Sequence, residues 1–62
     1  MNDILVEKYQ VLKTLIESLQ VDLVKNANGN KSAGVRARKG LREVKKIASE
    51  IVKSSLTSDK DV

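Results

Sequence analysis

Three observations predict an all-α fold of two helices folded back on each other. The 62 residues include no Pro, Phe or Trp, and a composition led by Ala, Leu, Val, Ile, Lys and Glu favours helix over sheet. Apolar and small residues recur at alternating spacings of three and four in both halves of the chain. One strong break, Asn26-Ala27-Asn28-Gly29-Asn30, separates those halves.

The first helix is predicted over about residues 3–25. Leu5, Tyr9, Leu12, Ile16, Leu19 and Leu23 form a heptad seam on it, the pattern of a helix that meets a partner along its length. Ile4, Val11 and Leu15 widen this seam beyond what one partner helix covers. Asn2 or Asp3 can cap its start, because a short polar side chain accepts from the orphan N–H groups of the first turn. In the loop, 26–30, Gly29 can take a left-handed conformation and the Asn side chains can close local turns.

The second helix is predicted over about residues 31–55, with Gly34, Ala37, Leu41, Val44, Ala48 and Ile51 on its inner line. Folding at the loop pairs positions whose numbers add to 56 or 57, such as Leu19 with Ala37 and Ile16 with Leu41. Large then faces small in several layers, which is how a core reaches native density. The expected domain is a coiled-coil-like antiparallel hairpin over 1–55, followed by a frayed polar tail over 56–62.

A chain this short hides only about 60% of its unfolded surface when it folds alone. With no Cys and no His, disulfides are excluded and a metal site lacks its common ligands, so oligomerisation is the remaining way to add stability. The flanks Ile4, Val11 and Leu15 on one helix and Ile47 and Val52 on the other predict a homodimer, most simply an antiparallel four-helix bundle. No apolar run approaches the roughly 18 residues of a membrane span, and Asp3 and Glu7 sit where a signal peptide needs positive charge. A soluble, cytoplasmic protein is expected, with no membrane partner.

The net charge of +4 is unevenly spread. Residues 1–25 carry three bases and four acids, whereas residues 26–55 carry eight bases and two acids. With Ala37 at the centre of the inner line, Arg38, Lys39, Arg42, Lys45, Lys46 and Lys53 fall on the outer side of the second helix. Glu43 and Glu50 could pair locally with Lys39, Lys46 and Lys53, but two acids do not balance eight bases. The stripe therefore predicts a polyanion-binding surface made of Lys31, Arg36, Arg38, Lys39, Arg42, Lys45, Lys46 and Lys53. Lys and Arg without neighbouring Asn or Gln favour phosphate contact over base reading. Single strands are disfavoured because the lone aromatic ring, Tyr9, belongs to the seam and no stacking platform exists.

No enzyme is expected: nucleophile and base pairs draw on His or Cys, both absent here. No catalytic residue, cofactor, metal or small-molecule substrate is assigned. Gly34 and Gly40, on the inner side of the second helix, are explained by close packing against Leu19 and Leu23; each costs a helix about 1 kcal/mol relative to Ala. The Gly29 loop has no preceding strand and no phosphate-loop spacing, so it is a hinge. The alternative to nucleic acid is a helical interaction module, with the apolar flanks docking an acidic partner that the basic stripe steers. A membrane-surface helix is disfavoured by the small residues of the second helix.

The steps Gly29-Asn30-Lys31, Ala33-Gly34, the run Val35–Lys39 and the stretch Leu41–Ala48 resemble the chlamydial histone-like family, small bacterial proteins likened to linker histones. The resemblance covers about residues 9–53 and is strongest from Gly29 onward. It implies a nucleoid-associated, DNA-binding protein that organises the chromosome. Chlamydial members carry a long Lys- and Ala-rich tail, whereas this sequence ends Thr57-Ser58-Asp59-Lys60-Asp61-Val62; the expectation is that the helical part acts alone.

Overall fold

A computed structural model describes residues 3–60, with the side chain of residue 60 excepted. Two helices, α1 (Asp3–Ala27) and α2 (Lys31–Lys60), pack as an antiparallel hairpin, and no strand occurs among the described residues. The body measures 49 × 14 × 11 Å. The all-α hairpin predicted from composition and periodicity is the observed fold.

The turn shows why the chain reverses where it does. The Asn30 N–H donates to the Lys25 carbonyl at 3.0 Å and the Gly29 N–H to the Asn26 carbonyl at 2.9 Å. This nested pair is the Schellman closure of a helix C-terminus, and it needs a left-handed residue, supplied by Gly29 at φ 97°. Asn30 then begins the next helix: its Oδ1 accepts from the Ala33 N–H at 2.9 Å, satisfying an orphan donor as an N-cap does. Asn26 Nδ2 also donates to the Asn30 carbonyl at 3.3 Å. Three non-helical residues thus complete both ends.

Two boundaries differ from the sequence expectation. α1 continues through Asn26 and Ala27, and α2 continues to Lys60 rather than ending near Ser55. In the last turns of α2, Thr57 Oγ1 donates to the Lys53 carbonyl at 3.2 Å, and Ser54 and Ser58 are half-buried on the inner line. The proposed cap at Asn2 and the last two residues of the tail lie outside the described residues.

The seam itself is rotated. On α1 the buried and half-buried positions are Leu5, Lys8, Leu12, Leu15, Leu19 and Asp22. Leu5, Leu12 and Leu19 hold their expected places, but Tyr9, Ile16 and Leu23 are 54%, 51% and 43% exposed. On α2 the buried and half-buried positions are Ala33, Gly34, Ala37, Gly40, Val44, Ile47, Ala48, Glu50, Ile51, Ser54, Ser55 and Ser58, so Gly34, Ala37, Val44, Ala48 and Ile51 hold their expected places, while Leu41 is 44% exposed. Tyr9 is therefore not a core ring, and Leu15 and Ile47 belong to the seam rather than to an uncovered flank.

The register explains the rotation. Asp22 meets Arg36, Leu19 meets Gly40 and Lys8 meets Ser54, so paired numbers add to about 60, not 56 or 57. With α1 two residues longer, the turn centres on Gly29, and each residue of α1 faces a later one of α2. A Cβ at Gly40 would overlap Leu19 Cδ2; the missing side chain lets the one large buried residue among those described settle against the backbone. Packing against Leu19 accounts for Gly40 as expected. At Gly34 the close neighbour is instead the Asn26 side chain.

The candidate nucleic-acid interface

α2 places the bases by its rotation against α1. Its inner line centres about 40° from Ala37 toward Gly40, at 100° per residue. Arg42 then points directly away from α1. Lys31, Arg38, Lys46 and Lys53 lie within about 40° of it, and Lys39 and Lys45 form the margins. All of these residues are exposed. The set is better centred on the outer surface than the expected seam would have made it.

Arg36 stands apart. It sits on the flank facing α1, where its Nη2 lies 3.2 Å from Asp22 Oδ1 and its Nε donates to the same oxygen at 3.2 Å. This is the one ion pair among the described residues. With the Arg36 side chain 55% exposed and that of Asp22 23%, water weakens the pair, and it contributes a fraction of a kcal/mol to about 1 kcal/mol. Its consequence is positional: the guanidinium is held on the flank. The local pairs that Glu43 and Glu50 could have made with Lys39, Lys46 or Lys53 are not formed, so seven bases face solvent without a carboxylate partner among the described residues.

Two residues of this surface carry no charge and escape charge counting. Val35, 60% exposed, and the exposed Ser49 lie within about 20° of the Arg42 direction. The signal that finds them is helical angle, not residue type. Ser49 offers a hydroxyl that can donate to an anionic oxygen, and Val35 a small apolar contact.

The outer line from Lys31 to Lys53 extends about 33 Å at 1.5 Å per residue, close to the roughly 34 Å of one turn of B-DNA. A convex basic rod of this length suits a linear polyanion. The described residues hold no group of acids that could bind a metal ion, and no helix among them is long and apolar enough to cross a membrane.

A family model described as histone H1-like protein Hc1 matches residues 6–61. The chain belongs to that family. It is a histone-like family and not an enzyme family, and its match spans both helices and the turn. No curated protein and no solved structure matches the chain.

Proposed function

We propose that this histone H1-like chain binds double-stranded DNA without regard to sequence, as a homodimeric nucleoid-associated protein, through the outer face of α2. The observation that carries the proposal is a 33 Å line of exposed bases, at about 1.5 Å rise per residue, left without carboxylate partners although Glu43 and Glu50 are within helical reach. Membership of a histone H1-like family points the same way. Lys31, Arg38, Lys39, Arg42, Lys45, Lys46 and Lys53 neutralise phosphates and release counterions; Arg36 contributes less because Asp22 engages it. Base reading is not supplied, since no Asn or Gln accompanies the bases on α2.

The test is electrophoretic mobility on random duplexes across a salt series. Binding should weaken steeply, with log affinity falling by roughly 0.9 per phosphate contact for each unit of log salt. An acidic helix could occupy the same surface, and the exposed apolar flanks described above favour that second reading. It would show as a stable complex with an acidic helical partner and no shift of duplex DNA at low salt.

A further inference from the structure

The rotated seam leaves apolar residues exposed on both flanks of the hairpin. Antiparallel helices turn in opposite senses when viewed from one end, so residues displaced in the same angular sense from the two inner lines lie on the same side. Tyr9, Ile16 and Leu23 of α1 and Leu41 and Val52 of α2 share one side, each 43 to 60% exposed. The opposite side exposes Ile4 and Val11 and carries a groove between Val11, Leu15 and Ile47, rimmed by Gln10, Ser18 and Glu43.

The exposed area leaves room for a partner on the Tyr9 side. A compact monomer of 6.8 kDa exposes about 4,000 Å², whereas this chain exposes 5010 Å². The excess is the scale of surface that one partner loses in a specific interface, about 800 Å². The face available, 49 by 14 Å, is large enough to provide it.

The spacing says what covers it. Tyr9, Ile16 and Leu23 stand seven residues apart, and a two-fold axis parallel to the helices would lay α1 of one copy on α2 of the other at unchanged heights. With paired numbers adding to about 60, Tyr9 then enters between Ala48 and Val52 of the other copy, and Ile16 lies beside Leu41 and Lys45. Leu23 reaches the level of Gly34 and Arg38. Each large side chain meets a gap between residues four apart, as a knob meets a hole. A two-fold axis running across the helices would instead stack α1 on α1 and α2 on α2. Large would meet large on one side and small would meet small on the other, and, with the axis near Leu41, Arg38 of each copy would face Lys45 of the other, a like-charge contact that disfavours the arrangement.

We infer that two copies pair through the Tyr9, Ile16 and Leu41 side with α1 on α2, so that their basic α2 surfaces point in opposite directions and hold two DNA duplexes together. This rests on the reading of α2 as the DNA-binding surface. With helix axes 8–10 Å apart, the two basic surfaces are separated by roughly 20 Å, so one straight duplex cannot touch both.

Two measurements test this on the full chain. In the first, one duplex is immobilised and a second, labelled and of different length, is offered in solution. The parent chain should capture the labelled duplex, and Ile16→Gln combined with Leu41→Gln should lose capture while still retarding either duplex alone. A parent chain that retards both duplexes but captures nothing overturns the bridging inference and leaves α2 as the binding surface. Failure to retard either duplex overturns the α2 reading itself. Capture that survives the double substitution overturns this side as the interface. In the second, Tyr9→Cys and Val52→Cys chains are mixed and oxidised, the parent having no Cys. The disulfide-linked product should contain one chain of each kind, and a predominance of like-with-like products would mean the crossed arrangement is wrong.

Discussion

α1 and α2 have nearly the same length of contact but divide the work unequally. α1 brings the large inner residues, Leu5, Leu12, Leu15 and Leu19; α2 answers with Ala33, Ala37 and Gly40 near the turn and larger residues only further on. α2 also holds nine of the twelve bases, and seven of them occupy its outside. The difference shows how a two-helix protein finds room for a binding surface. A helix whose inside is made of small residues lies close to its partner, and its whole outer half is then available for charge.

The most severe way to break this division is to remove the outer charge. Replacing Arg38, Lys39, Arg42, Lys45, Lys46 and Lys53 together by Ala should abolish retardation of duplex DNA at physiological salt and lower the salt slope by roughly 0.9 per lost contact. Circular dichroism should show the helices retained, since Ala is the best helix former. A sextuple variant that binds with the parent's affinity and slope would exclude the outer face of α2.

The inner division breaks next. Leu19→Ala removes the large side chain seated on Gly40 and should cost about 2–5 kcal/mol, enough to unfold so small a hairpin in a thermal melt. Gly40→Val should act in the same direction, because the added side chain and Leu19 cannot share the space. The same changes made on the outside, at Val35, should leave the melt almost unchanged.

The turn comes third. Gly29→Ala places a Cβ at φ 97° and should cost about 1 kcal/mol, read as a lower melting temperature with DNA affinity otherwise unaltered. Removing the cap with Asn30→Ala should cost a similar amount.

The smallest effect sharpens the boundary of the binding face. Asp22→Asn releases Arg36 and should raise the salt slope by less than one contact, while Arg36→Ala should weaken binding less than Arg42→Ala. Equal losses for the two arginines in a mobility titration would show that the flank touches DNA as fully as the outer face.

How far the residues alone revealed this arrangement depends on what periodicity can encode. The hairpin was legible because Gly29 and the Asn residues interrupt two long patterns, and the exposure of the bases followed from their spacing. The rotation of the seam was not. Leu5, Leu12 and Leu19 belong equally to a line through Tyr9 and Ile16 and to one through Lys8 and Leu15, and a count of apolar residues chooses the first. The protein uses the second because Gly40 admits Leu19 closely and because the Schellman closure shifts the register. Both are effects of backbone approach that a 3.5-residue repeat does not contain. Arg36 was grouped with the other bases for a related reason: its distance from them appears only once Asp22 is placed opposite.

The buried residues, Leu19, Ala33, Gly34 and Ala37, all lie toward the turn, whereas the far end is joined by a Lys8 Nζ to Ser54 Oγ hydrogen bond of 3.4 Å. The hairpin therefore has a direction in time. Its turn end, with contacts close in sequence, closes first during folding, and its free end, with polar contacts near water, opens first afterwards. Amide protons should exchange progressively faster from Ala37 toward Ser58. On the ribosome the same polarity lets the turn set as soon as the first stretch of α2 emerges, before most of the basic surface has been made.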